Sequence, residues 1–315
     1  MVGEARRGKT ALSAIGGTPL VQLTRLPQED GAQVWVKLEM FNPTGSYKDR
    51  MALGLIEAAE DRGELTPGRV VVERTGGSTG SSLALVCAVK DHPFKVVSSD
   101  AFSVAKLSTM EALGAELTVV PSHEGGVSAE LMEDMRREVD RIVQSDDAYY
   151  TDQFNNPDAV LGYEPAADEI IDELGCHPDV FCAGVGTSGF LTGVGRKLRR
   201  GSSSVRVIAL EPASSAVLSG GAPGSHRIEG IGVGFVPPHF DPDLVDQVMT
   251  VSEAEAAAMA RSLARTEGIF AGFSTGLNVA AACRLAAEMT PEEVVVTVAV
   301  DSGLKYLDGD LFRVV

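Results

Sequence analysis

Positive charge is scarce in this chain. Its 315 residues include 27 lysines and arginines against 44 aspartates and glutamates, for a formal net charge of −17. A nucleic-acid or anionic-membrane partner needs a basic face, so this balance argues against both. The acidity favours solubility, and an anionic substrate would need local donors. Cysteine is sparse as well. The four, Cys87, Cys176, Cys182 and Cys283, lie far apart with no C-x-x-C pair and no histidine cluster. That excludes a disulfide framework and a structural zinc site, and no metal is expected. Cys87, Cys182 and Cys283 lie in apolar segments and are expected to be buried thiols. No apolar run reaches membrane-spanning length, and the opening MVGEARRGKTALSAIGG lacks the apolar centre of a signal peptide. The expectation is a reduced, cytoplasmic protein. Internal repeats, a low-complexity tail and an appended regulatory module are also not seen.

What is present is an alternation of strands and helices. The length suggests about two domains, and 44% hydrophobic residues with 23% charged suit a globular core. Val70 to Val72 and Val180 to Ala183 are continuously apolar, and Val205 to Leu210 and Val294 to Val300 are so apart from Arg206 and Thr297, as strands buried on both faces are. Further strands are expected at 34–38, 95–98 and 116–120. Helices are expected at 49–62, 83–90, 104–113, 126–144, 166–174, 191–198 and 277–289, with a capping box at Ser252–Glu255 starting one that runs to Arg265. The long helix from Gly126 has Val127, Leu131, Met135, Val139 and Ile142 on one face, and its charges read as a solvated face. The reading is an α/β protein with mostly parallel twisted sheets.

Ligands in such folds bind at the carboxyl ends of strands, and the chemistry-bearing residues fall at those places. Met40 to Met51, MFNPTGSYKDRM, runs from a strand through turn formers to a helix start. A helix start favours anions and makes a further cation costly. Lys48 there is a surface lysine, a phosphate binder, or an amine that loses its proton readily, and the last kind forms Schiff bases. Thr75-Gly76-Gly77-Ser78-Thr79 follows a strand and leads into a helix, so its N–H groups and hydroxyls suit an anion, although ordinary βα turns have this composition too. A second turn, Gly184-Val185-Gly186-Thr187-Ser188-Gly189, has the same setting. Glu211 stands where a dinucleotide fold wants an acidic residue, so spacing leaves a nucleotide open. A monophosphate cradle accounts for more of the chain, because the turn follows a candidate Schiff-base lysine.

NPTGSYKDR resembles the lysine motif of the pyridoxal-phosphate enzymes of the cysteine synthase and cystathionine β-synthase family. The Gly186 turn, GGAPGSHRIEGIGVGFVP, EGIFAGFSTG and DSGLKYL match the same family in order, from about Ile15 to Leu307. The resemblance implies the tryptophan synthase β-like fold, with two three-layer α/β domains. Residues 46–149 would form the smaller one and residues 1–45 with 150–315 the larger. It implies pyridoxal 5'-phosphate as cofactor, bound by Lys48 as a Schiff base, with Lys48 also the base at Cα. Gly186, Thr187, Ser188 and Gly189 would hold the phosphate. Ser302 would face the pyridine nitrogen, with Asp301 beside it leaving that assignment open by one residue. Thr75, Gly76, Gly77, Ser78, Thr79 and Gln153 would hold the substrate carboxylate. Ser78 would also meet the cofactor, where the family has asparagine.

Two further departures are Phe190, where threonine is common, and Arg74, where proline is. Arg74 reads first as an outward surface arginine; the alternative is a charge that helps select a phosphorylated or dicarboxylic substrate. The implied reaction is β-replacement on an activated L-serine, such as O-acetylserine or O-phosphoserine, through an aminoacrylate, with sulfide giving L-cysteine. Elimination alone, as in serine/threonine dehydratases or cysteine desulfhydrases, a different nucleophile, and a cofactor-free regulatory protein are the alternatives. The partners expected are a small amino acid, a small nucleophile and a second copy of the chain in a homodimer.

Overall fold

The computed structural model describes residues 9–122 and 128–313. In chain order its main elements are β1 (Leu20–Gln22), β2 (Gln33–Lys37), α1 (Lys48–Asp61), β3 (Val71–Arg74), α2 (Ser78–Lys90), β4 (Phe94–Ser99), α3 (Val104–Ala112) and β5 (Glu116–Val120). Next come α4 (Ala129–Asp146), β6 (Tyr149–Tyr150), α5 (Asp158–Leu161), α6 (Pro165–Leu174), β7 (Val180–Gly184), α7 (Gly189–Gly201) and β8 (Arg206–Pro212). The last are β9 (Gln247–Val251), α8 (Glu253–Ser262), α9 (Phe273–Ala286) and β10 (Val294–Val298). The backbone divides into two compact units. The described residues of one are 9–15, 42–122 and 128–162; those of the other are 16–41 and 163–313.

The first unit is built on a four-stranded parallel sheet in the order β5-β4-β3-β6. Successive residues of a strand face opposite ways, and both faces here are covered. Val71 and Val96 pack with Ile56 of α1, Leu83 and Val86 of α2 and Met110 of α3. Val72 and Val97 pack with Leu131, Met135, Val139 and Ile142 of α4. This is why these strands read as unbroken apolar runs. The outer face of α4 is solvated, with Arg136, Arg137 and Arg141 paired to acids one turn away. The expected start of this helix at Gly126 and Val127 lies outside the described residues.

The second unit holds a six-stranded sheet in the order β1-β2-β10-β7-β8-β9, parallel except for β1. Val36, Cys182, Ile208 and Val295 share a core with Ala256 and Ala260 of α8 and Leu277, Ala281 and Leu285 of α9. In α9, Gly276 allows the two helices to touch, since a Cβ there would lie 2.0 Å from the Ala256 carbonyl oxygen. Phe190 of α7 meets Phe181 of β7 at 6.1 Å and Tyr163 edge-on at 5.2 Å.

Several boundaries differ from the sequence reading, each for a local reason. Helix α2 begins at Ser78 rather than Leu83, because Gly77 caps it and the small hydroxyl residues fit a first turn whose N–H groups are unpaired within the helix. Strand β10 stops at Val298 rather than Val300. Beyond it, the Val298 carbonyl accepts from Asn278 Nδ2 and the Val300 N–H donates to Thr275 Oγ1, so side chains of α9 replace a strand partner. The helix capped by Ser252, whose Oγ accepts the Glu255 N–H, passes after Ser262 into a wider π turn, Leu263–Glu267. Cys283, expected to be buried, lies on α9 half-exposed, whereas Cys87 and Cys182 are fully buried and all four thiols are free.

Candidate active site

In the first unit, the turn before Lys48 is closed by the helix that follows it. Asp49, in the first turn of α1, accepts from the Thr44 N–H at 2.8 Å and from the Thr44 hydroxyl. A carboxylate is favoured at a helix N-terminus, so Asp49 serves the helix and the turn together. Gly45 has φ +75°, the left-handed conformation that the turn needs. Lys48 is the first residue of α1 and is 9% exposed. Its Nζ lies 4.9 Å from the centre of the Tyr47 ring. Burial pushes the Lys48 amine down to about 8, and the negative charge of Glu73 opposes that shift. A desolvated amine of this kind is a ready nucleophile.

Thr75 directly follows β3, and Gly76 and Gly77 lead into α2. Gly76 is held to glycine by contact: a Cβ there would sit 2.0 Å from the Phe102 ring. Thr75 Oγ1 accepts the Gly77 N–H at 3.2 Å. Ser78 and Thr79 stand in the first helical turn, where N–H groups point outward for an anion. Thr79 donates its hydroxyl to Gln153 Oε1 at 2.7 Å, and both side chains are buried. The structure thus joins Gln153 to the loop from 74 residues away in the chain. Arg74 turns elsewhere. Its Nη1 donates to the Met132 carbonyl of α4 at 3.0 Å and its Nε to Tyr150 Oη at 3.4 Å, which makes it a clamp between β3, α4 and β6 and not an outward surface arginine.

In the second unit, Gly186, Thr187, Ser188 and Gly189 connect β7 to α7 and are all buried. A Cβ on Gly186 would lie 2.0 Å from the Gly230 carbonyl oxygen, and the Gly232 N–H donates to the Val185 carbonyl at 2.9 Å. GIGVG therefore packs against the turn, which only a glycine at 186 allows. Ser188 adopts a left-handed φ of +68° and its hydroxyl lies 3.1 Å from that of Thr192. Phe190 is 3% exposed and points into the aromatic contact described above, so the departure from threonine adds core packing. Ser302 is half-buried and its Oγ accepts the Leu304 N–H at 3.3 Å. Asp301 is buried and accepts the Tyr306 hydroxyl at 2.9 Å.

Asn278 is one positioning residue that sequence reasoning missed. It is fully buried, accepts the Gly184 N–H at 2.8 Å and donates to the Val298 carbonyl at 2.9 Å. It fastens the ends of the neighbouring strands β7 and β10, from which the Gly186 turn and Ser302 follow. Its only sequence signal was a polar residue within the apolar stretch Leu277 to Ala282.

Residues 11–301 match the family model described as pyridoxal-phosphate dependent enzyme. The chain belongs to that family. This enzyme is 37% identical over 300 residues to a cysteine synthase of Staphylococcus aureus strain Mu50, with 95% of each chain covered. It is similar to the crystal structure of an O-ureido-L-serine synthase, at 37% identity and TM-score 0.91, covering 97% of this chain and 95% of the other. It is likewise similar to O-acetylserine sulfhydrylase isoform 3 from Entamoeba histolytica, at 33% identity and TM-score 0.93, covering 99% and 93%. Its fold is the tryptophan synthase β-like α/β fold with mostly parallel sheets.

The residues present fit the cofactor. Pyridoxal phosphate needs an amine that gives up its proton readily, and burial lowers that of Lys48 to about 8. It also needs a cradle for a phosphate. The turn at the head of the 13-residue helix α7 offers buried hydroxyls and a glycine beside which backbone packs closely.

Proposed function

We propose that this enzyme catalyses β-replacement on an activated L-serine, O-acetylserine or O-phosphoserine, with sulfide as the nucleophile and L-cysteine as the product. The observation that carries this reading is the buried, easily deprotonated Lys48 in the same unit as a carboxylate-sized loop, within a chain that matches a cysteine synthase over 95% of its length. When bound, pyridoxal phosphate withdraws electrons from Cα of the amino acid and so supplies the carbanion chemistry. Lys48 would bind the cofactor through its amine and would take the proton from Cα of the substrate. Its depressed basicity suits both tasks.

In the first unit Thr75, Gly76, Gly77, Ser78, Thr79 and Gln153 hold the substrate carboxylate, with neutral donors standing in for the cation that the acidic chain does not provide. Ser78 also meets the cofactor, its shorter side chain reaching less far than asparagine. In the second unit Gly186, Thr187, Ser188 and Gly189 hold the phosphate. Ser302 would face the pyridine nitrogen, where a neutral hydroxyl would leave the ring a weaker electron sink, which suits loss of a β-substituent. The reading includes a cytoplasmic setting, consistent with four free thiols. It also includes a homodimer, supported by the exposed apolar side chains Phe235, Leu304 and Leu307 of the second unit.

The test is an absorbance spectrum of the purified protein, then additions of O-acetylserine and sulfide. We expect a visible band that shifts with O-acetylserine and returns with sulfide as cysteine forms. Lys48→Ala should lose that band and at least about a hundredfold of the rate. Keto-acid release without added nucleophile would replace this reading with elimination. A protein that takes up no cofactor would overturn it.

A further inference from the structure

We propose that Glu73 is a positioning residue whose carboxylate holds the segment 151–153 against the end of β3 and so sets Gln153 and Thr79 for the substrate carboxylate. The inference rests on the reading above and adds to it a residue that makes no contact with substrate. Glu73 lies in β3 with a side chain 1% exposed. A buried carboxylate needs full compensation by donors. Three groups supply it: the Thr151 hydroxyl at 2.6 Å and the Gln153 N–H at 3.1 Å, both to Oε2, and the Arg74 N–H at 2.9 Å to Oε1.

The two Oε2 donors belong to the stretch that leaves β6. Strand β6 pairs with β3 only at Val71↔Tyr149 and Val72↔Tyr150. One further backbone bond, Thr151 N–H to the Val72 carbonyl at 3.2 Å, continues the pairing. Past that point the Glu73 side chain takes over from the ladder, bonding Gln153 through its main chain. The Gln153 side chain is thereby left to meet Thr79 Oγ1 at 2.7 Å. Glu73 therefore connects the end of the strand, the head of α2 and the crossing segment.

The charge state of Glu73 matters to this arrangement. Backbone N–H groups can only donate, so a protonated carboxyl would have to give up a donor or have the Thr151 hydroxyl reverse its role. Burial pushes the Glu73 carboxyl up to about 7 against the pull of its three donors. The charged or titratable groups around it are Lys48 from α1, Asp152 from the crossing segment, Tyr150 from β6 and Arg74 from its own strand. The arrangement is complete when Glu73 is ionised, above about pH 7, and loosens as pH falls through that value.

The test compares the holoenzyme with Glu73→Gln and Thr151→Val, the second removing one donor should the first not fold. Both should raise KM for O-acetylserine about tenfold, the usual scale of one lost buried hydrogen bond, with kcat within about twofold. In the parent, KM should rise as pH falls below about 7, and that rise should be absent in Glu73→Gln. In cofactor-free protein, amide exchange at Gln153 should be at least about tenfold faster in Glu73→Gln. Unchanged KM and unchanged exchange in a folded variant overturn the proposal. A fall in kcat at constant KM does so as well, since it would place Glu73 in the chemistry. The exchange measurement is independent of cofactor and substrate, so it decides the role of Glu73 even where the assigned reaction fails.

Discussion

At Lys48, burial and a neighbouring carboxylate pull the amine in opposite directions, and burial wins. An ordinary lysine is almost wholly protonated at neutral pH, whereas Lys48 titrates at about 8. The rate at which cofactor-free protein captures pyridoxal phosphate should therefore rise with pH and reach half its maximum near 8, as followed by growth of the visible band. A half-maximum near that of free lysine would show that burial does not govern the amine. The sign for stability follows. Between about 8 and the ordinary lysine value of 10.5, the unfolded chain binds a proton that the folded one does not, so stability rises with pH in that window. Nothing near Lys48 in sequence foretold the opposing carboxylate. Glu73 lies on strand β3 and comes near Lys48 only through the fold.

Among the elements, β3 has the most varied tasks. Its apolar residues fill both cores of the first unit, Glu73 binds the crossing segment, and Arg74 ties the strand to α4 and to β6. With its guanidinium bonded to Met132 and Tyr150, Arg74 is expected to have little part in choosing between substrates. For Arg74→Ala the ratio of kcat/KM on O-phosphoserine to that on O-acetylserine should change by less than about twofold. The thermal midpoint should fall by about 2–4 °C, the consequence of losing roughly 1 kcal/mol of hydrogen bonding. A tenfold shift in the substrate ratio would restore the arginine to a selective role. The glycines of the second unit make a related point. Gly186 and Gly276 are needed less for their own conformations than for what packs against them, GIGVG in one case and α8 in the other.

For the whole molecule the dominant fact is a net charge of −17. Such an excess repels itself in the compact state. Salt shortens the range of that repulsion from about 30 Å at 10 mM to about 8 Å at 150 mM. The thermal midpoint should therefore rise over this interval, despite some weakening of the exposed ion pairs on α4, which individually contribute little. A falling midpoint would mean that the local pairs outweigh the global excess. The acidity also bears on the site. In the proposed reaction, neutral hydroxyls and backbone N–H groups at the head of α2 and at the head of α7 would be the donors for its anions.

The sequence by itself determined the alternation of elements, the lysine motif and the two glycine-rich turns. These are local properties: apolar runs specify strands, turn formers specify loops, and a nine-residue motif needs no knowledge of the fold. Helix starts were misread at Ser78 because a first turn of small hydroxyl residues has the composition of a loop. The end of β10 was misread because side chains from α9 take the place of a strand partner there. Only tertiary structure decided that Gln153 joins Thr79, that Asn278 fastens β7 to β10, that Phe102 covers Gly76, and that Arg74 faces a helix. Each of those contacts joins residues distant in the chain, and a hydrogen bond between two polar side chains leaves no periodic trace in either segment. The lowered basicity of Lys48 belongs with them, because desolvation is set by everything packed around an atom and by nothing in its immediate neighbours alone.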